Sequence, residues 1–214
     1  MSNPAIAKSR SDPGAWSKAT LVLSLVVGLT FVVGFVFPYL RLTPEALGPY
    51  LQKRGWILLH IAAGTIALLL GPFVLGLGMA RRSMTLHRRL GYGYITAISF
   101  SSIAAFYLAA HTDINWVFGA GLTGLAIAWI VTTGLAFLAI RKRLIQQHKE
   151  WMIRSYVVTF AFVNFRIFVG ILTAAHVGTL VEQLSAASWF CWAFPLMVAE
   201  AVLQGRKILG ARVV

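Results

Sequence analysis

The chain is short of charge. Only 12% of its 214 residues are Asp, Glu, Lys or Arg, where a soluble domain carries about 25%. Acids are scarcest: six stand against nineteen Lys and Arg, for a formal net charge of +13. There is one cysteine, Cys191, which excludes a disulfide scaffold and a cysteine-built zinc site. No glycine-rich phosphate loop, nucleophile elbow or internal repeat is found, and no nucleophile stands beside a base. Nucleotide-dependent and hydrolytic chemistry therefore have nothing to rest on. What fills the chain is apolar: 58% hydrophobic residues and a mean hydropathy of +0.77. A spanning helix takes about 20 apolar residues, so this length allows six spans with short loops and leaves no room for a soluble domain.

Hydrophobic runs fall at 19–40, 55–79, 90–110, 115–140, 151–175 and 184–204. The expected fold is an all-α membrane protein, six transmembrane helices in a compact bundle over 19–204. A flexible polar tail precedes it at 1–18, broken by Pro4, Pro13 and Gly14, and a basic tail follows at 205–214. The apolar run after Lys18 is too long for a signal-peptide core, and no cleavage site follows it. The basic residues set the orientation. With the N-terminus inside, fifteen fall on the inner side, among them Arg81, Arg82, Arg88, Arg89, Arg141, Lys142, Arg143, Lys149 and Arg154; Arg41, Lys53 and Arg54 alone fall outside. Cytoplasmic loops of membrane proteins carry that excess, so both termini are expected in the cytoplasm and the chain in the inner (plasma) membrane. The positive charge is thus read as facing lipid, not nucleic acid.

The nineteenth base, Arg166, lies inside the fifth run. At 100° per residue, His148, Ser155, Thr159, Arg166 and Thr173 share one narrow face of a continuous helix. An arginine exposed to hydrocarbon costs roughly 2.5–3.5 kcal/mol on insertion scales, so this stripe is expected to face the bundle. Two roles fit it: a polar path, or a cap on the carbonyls of a kinked neighbour near Pro72. His60 in the second run lies at the same depth as Arg166, which predicts that the two meet. Of the other histidines, His111 and His176 end spans at the outer interface, while His87 and His148 open the third and fifth spans at equal depth on the basic side.

Two strings carry a resemblance: Leu86-His87-Arg88-Arg89-Leu90-Gly91-Tyr92-Gly93-Tyr94 and His148-Lys149-Glu150-Trp151-Met152-Ile153-Arg154-Ser155-Tyr156. With His60 and Arg166 they are similar to a family of bacterial predicted membrane proteins of unknown function (domain of unknown function 2306). In that family an H-R-x-L-G-x-x-Y segment opens one span and an H-x-x-W-M-x-R-S segment opens another. The resemblance covers roughly 55–175 and implies a membrane fold; it implies no activity. A weaker likeness, at the level of the fold, is to b-type membrane cytochromes, which place haem ligands on neighbouring helices. Those proteins stack two haems by pairing histidines closely on one helix. Here the same-helix pairs are 24 apart (His87, His111) and 28 apart (His148, His176), which leaves room for one haem at most.

Four functions remain. The first is electron transfer through one haem b, with His87 and His148 as axial ligands, Arg88 or Arg154 on the propionates, Tyr94 on a ligand or propionate, and a quinone or other redox partner. The second is a proton-coupled transporter with His60, Ser155, Thr159 and Arg166 along its path and His87 and His148 as proton gates. The third is a copper(I) site from Met84, His87, His148 and Met152. The fourth is a polytopic scaffold whose polar groups only join helices.

Overall fold

The computed structural model describes residues 13–81 and 83–210, and within these every regular element is helical. The first helix, α1 (Pro13–Phe31), continues through a π-helical turn (Val32–Val36) and a 3-10 turn (Phe37–Arg41). Proline at the first helical position costs nothing, because the amide it lacks has no intrahelical partner there. The helix thus starts five residues before Lys18, inside the stretch read from sequence as a tail. Residues 1–12 of that expected tail lie outside the described residues.

A short connection follows: α2 (Pro44–Leu47), capped by the Thr43 hydroxyl on the Ala46 amide, then a 3-10 turn (Gly48–Lys53). Here, outside the spans, the Glu45 carboxyl is held below its ordinary range by backbone hydrogen bonding and by Thr43. Then come α3 (Arg54–Ala80), α4 (Met84–Ala110), α5 (Trp116–Arg141), α6 (Ile145–Thr159), α7 (Ala161–Ala174) and α8 (Leu180–Gly210). Five segments are long and apolar enough to cross a membrane: Lys18–Arg41, Tyr50–Ala80, Met84–Ala110, Trp116–Arg141 and Leu180–Leu209. The pair α6 and α7 makes a sixth if counted as one span, bent by 43°. The chain is therefore an all-α, multi-span membrane protein. Large apolar side chains such as Leu23, Ile103 and Met197 lie on its outside, which suits a surface solvated by lipid.

One sequence expectation is corrected. The fifth span is not one straight helix from 151 to 175; it begins at Ile145 and breaks at Phe160. In the basic stretch expected as a tail at 205–214, α8 runs on to Gly210, and 211–214 lie outside the described residues.

The two intrahelical prolines show how the bundle is joined. Pro72 in α3 has no amide for the Leu68 carbonyl, and the Tyr156 hydroxyl of α6 donates to it instead, at 3.3 Å. Pro195 in α8 likewise leaves the Cys191 carbonyl without its helical partner, and Asn164 Nδ2 of α7 donates to it at 3.1 Å. Sequence analysis offered Arg166 as the cap near Pro72; Tyr156 fills that place. The Tyr156 ring reaches Leu68 by passing against α3 at Gly71, where any Cβ would overlap it. Around this contact sits the core, built on Tyr94, Ile98, Trp129 and Val158.

The helix ends sort by charge. Residues at the close of α3, α5 and α8 and the start of α4 and α6 gather round one pocket, with Arg88, Arg141, Lys149, Arg206 and Lys207 among them. This is the basic end. At the opposite end, Lys53 pairs with Asp113 at 2.8 Å and also donates to the His111 carbonyl.

Candidate functional site: two chambers and a plug

The centre of the bundle is a closed hydrogen-bond network of five side chains. Tyr94 (α4) lies between Ser155 and Thr159 (α6), 2.9 Å from each hydroxyl. Thr133 (α5) is 2.7 Å from Ser155 Oγ, and Trp129 (α5) donates its indole N–H to Thr159 at 2.8 Å. The proton directions follow from one fixed point. Thr159 donates to the Ser155 carbonyl at 2.9 Å, and a carbonyl only accepts. Tyr94 must then donate to Thr159, Ser155 to Tyr94, and Thr133 to Ser155. All five side chains are buried. Ser155 and Thr159, expected along a transport path, are thus saturated by neighbours, and Tyr94 is committed here and does not turn towards His87. Removing the central hydroxyl in Tyr94→Phe leaves Thr159 and Ser155 each short of a partner. The expected cost is about 1–3 kcal/mol, read as a lower midpoint in thermal unfolding of the purified protein. Tyr94→Phe combined with Ser155→Ala should cost less than the sum of the two.

On the side away from the basic end, a cavity of about 200 Å³ reaches from Tyr39 and Tyr50 down to Leu68 and Trp129. His60 and Arg166 both line it. They do not meet as predicted. The His60 ring is held by Ser101, its Nδ1 3.0 Å from the carbonyl and 3.1 Å from the hydroxyl, with the Phe162 ring edge-on beside it. The Arg166 guanidinium lies instead over Phe35, 5.5 Å from its centroid, and near Phe165. The break at Phe160 explains the difference, since it tilts α7 and with it Arg166 off the line set by α6. Thr173 leaves the stripe too and hydrogen-bonds Gln183 of α8.

The larger pocket, about 820 Å³, opens at the basic end. His87 and His148 line it together, their ring centroids 6.4 Å apart and their planes at 88°. Each is the fourth residue of its helix, and each is fixed from a neighbouring helix. His87 Nδ1 is 3.0 Å from the Val74 carbonyl of α3, and His148 Nδ1 is 2.9 Å from the Ala136 carbonyl of α5. Gly78 makes the first contact feasible: a Cβ there would stand 2.9 Å from His87 Cε1. Arg88, Met84 and Met152 also line this pocket.

Arg154 does not reach out to it. Its guanidinium is buried and held by Glu200 of α8, with Nε 2.7 Å and Nη2 2.5 Å from Oε2. Nη1 has Glu150 at 3.9 Å, and the group stacks over Trp151. Glu150, also buried, takes Lys207 at 2.7 Å and Gln146 at 3.1 Å. The expected pairing of Arg154 with a propionate is therefore corrected: its charge is already met. Sequence reasoning passed over Glu200, although an acid inside an apolar run is a rare and costly residue and was the available signal. Among the described residues, no three of His, Cys, Asp and Glu gather as a metal centre.

These features define an integral membrane protein with polar groups held deep inside a helical bundle. The family described as "Predicted membrane protein (DUF2306)" matches residues 57–203, about two thirds of the chain, and the chain belongs to that family. No curated protein and no solved structure matches it.

Proposed function

We propose that the chain is a carrier in the plasma membrane, with its basic end in the cytoplasm. The orientation follows from the excess of Lys and Arg at that end. The observation that supports a carrier is the break at Phe160 in the wall of the outer chamber, which Val158, Ala161 and Phe162 line on its two sides, while Met152 and Ile153 line a second chamber at the opposite end. Leu68 lines the outer chamber and Val74 the inner one; six residues of helix separate them, about 9 Å. Val158 and Ile153 repeat the relation on α6. The wall between the chambers is thus one thin layer, the Tyr94 network with Tyr156. Discontinuous helices beside a site near the midplane are the construction by which carriers expose it to alternate faces. His60, with Arg166, Tyr39 and Tyr50, gives the outer chamber the polar groups a cargo would meet. A scaffold needs neither chamber.

The test is thiol labelling in a Cys191→Ala background with a membrane-impermeant maleimide. Thr65→Cys should react from the outer face only, and Val74→Cys from the cytoplasmic face only. Adding Tyr94→Ala should open the wall and let each position react from both faces. If neither position reacts from either face, the chambers are closed and dry, and the chain is a scaffold.

A further inference from the structure

The pair His87 and His148 is built more closely than a carrier vestibule requires. Each Nδ1 faces a backbone carbonyl, Val74 or Ala136. A carbonyl only accepts, so each Nδ1 carries the ring hydrogen and each Nε2 is left as a bare lone pair. An imidazole whose far nitrogen is fixed in this way is the form that binds metals, tautomer and orientation both set by the outer partner. Two helices bring two such rings to one pocket, each ring fixed by a helix other than its own.

The ring separation selects the geometry of what lies between. A metal–imidazole bond is about 2.0–2.1 Å, and a ring nitrogen lies about 1.2 Å from its ring centre. Two imidazoles on opposite sides of one metal therefore have centroids about 6.4 Å apart. Two ligands of a tetrahedral ion have them about 5.2 Å apart. A direct nitrogen–nitrogen hydrogen bond of about 2.9 Å gives a similar, shorter value. The observed 6.4 Å matches the spacing of the opposed arrangement and exceeds that of the other two. Opposed axial ligands leave the four equatorial positions to another donor set. Among the described residues no further His, Cys, Asp or Glu joins the pair as a metal ligand, so the equatorial donors must arrive with the metal.

The pocket suits such a ligand. Its volume, about 820 Å³, lies within the range of roughly 300–1,000 Å³ usual for cofactor sites. Its walls include Leu75, Ile95, Phe137 and Ile153, and Gly91 adds a wall without a side chain. Its rim carries Arg88, Arg141, Lys149 and Arg206, for none of which a carboxylate stands within ion-pair distance among the described residues. Apolar walls, a cationic rim and two imidazoles at this spacing call for a flat apolar ring that holds its own metal and carries carboxylates at its edge.

We infer that the basic-end pocket binds an iron tetrapyrrole, haem b, between His87 and His148, with the free arginines of the rim on its carboxylates. This goes beyond the carrier reading, because it names an occupant of one chamber. The same chemistry admits two sources: a haem that resides in the pocket, and a haem that passes through it as cargo.

The experiment uses the full chain purified in detergent from haem-depleted cells and titrated with haemin. The expected result is saturation at one haem per chain, with a six-coordinate low-spin spectrum. His87→Ala and His148→Ala should each weaken binding at least about 100-fold, the upper end of what losing even an outer partner of a metal ligand costs, and should shift the residual spectrum away from two-imidazole coordination. Arg88→Gln, which leaves both axial histidines in place and removes one partner of a carboxylate, should keep the spectrum and weaken binding less. Circular dichroism and elution volume establish that each variant is folded; should one histidine variant fail to fold, Val74→Pro is avoided and Gly78→Val is used, which displaces the His87 ring without removing it. A spectrum and affinity unchanged by these substitutions means haem is partitioning into detergent, and the inference falls. No binding, with normal thiol labelling of both chambers, means that the gap holds only a water between two histidines; the inference falls and the carrier stands. Bound haem is then offered to apomyoglobin. Transfer within minutes supports both inference and carrier. Retention over hours supports the inference and overturns the carrier, since a resident ring fills the inner chamber, and the chain is then an electron-transfer protein.

Discussion

Arg154→Leu should lower the unfolding free energy by about 3 kcal/mol. Deleting one partner of a buried pair leaves the other charge uncompensated, at a cost of roughly 3–5 kcal/mol. The lower end applies because Glu200 is half-exposed, 44% for its side chain, and can recover water. Glu150, at 4%, cannot, but it keeps Lys207. For a chain of this size the midpoint of thermal unfolding should drop by roughly 6–12 °C. The double variant Arg154→Leu with Glu200→Leu removes both charges, and apolar replacement of a buried pair is often neutral. It should recover more than half of the loss. A double variant no more stable than Arg154→Leu alone would show that the guanidinium acts through its stacking on Trp151 and not through its charge.

Gly71→Leu should have an effect at least as large. The Tyr156 ring occupies the space a Cβ would take, and the collision is with the body of a ring anchored at both ends. Overpacking commonly costs 1–3 kcal/mol. Here displacement of the ring also frees the Leu68 carbonyl that Tyr156 satisfies, adding about 1–3 kcal/mol for a buried group without a partner. Little monodisperse protein should survive detergent extraction. Gly71→Leu with Tyr156→Ala relieves the collision though not the missing hydrogen bond, and should restore part of the yield. Glycine 91, against which nothing lies within 4 Å, is the control: Gly91→Ala should be close to neutral for stability.

The helices could be read from the sequence because hydrophobic length is a one-dimensional property. Runs of 20 or more apolar residues between clusters of Arg and Lys locate spans with no knowledge of what packs on what. The break at Phe160 could not be read this way. No proline or glycine lies near it. Its cause is tertiary: Tyr156 and Asn164, on either side, are each drawn to a carbonyl that a proline has freed in a different helix. The meeting of His60 with Arg166 failed for the same reason, since matched depth on ideal helices ignores a bend between them. His87 and His148 were legible together because both stand at the start of their spans, where depth is fixed by the membrane interface. What fixes their rings, the carbonyls of Val74 and Ala136, lies on other helices and leaves no trace in the motifs. The Arg154–Glu200 pair joins residues 46 apart along the chain, and only the rarity of an acid in an apolar run pointed to it.

The bend at Phe160 has its counterpart in a weak point of α8, which runs unbroken but lacks one backbone hydrogen bond at Pro195. Asn164 ties α7 to the Cys191 carbonyl just before Pro195, and Phe168 stacks on Phe190 in the same half of that helix. Below Pro195, Glu200 and Lys207 are held by Arg154 and Glu150 of α6. One helix is broken and the other lacks a backbone hydrogen bond, and each half of one is fastened to the matching half of the other. Mechanically the pair is two short hairpins set end to end, with a seam crossing both strands. Stiffness is high within each storey and low at the seam, so a load applied at either end should be taken up as a tilt of one storey on the other. Hydrogen exchange in the backbone of Phe160 to Asn164 should then be faster than in the helical turns to either side, despite their similar burial.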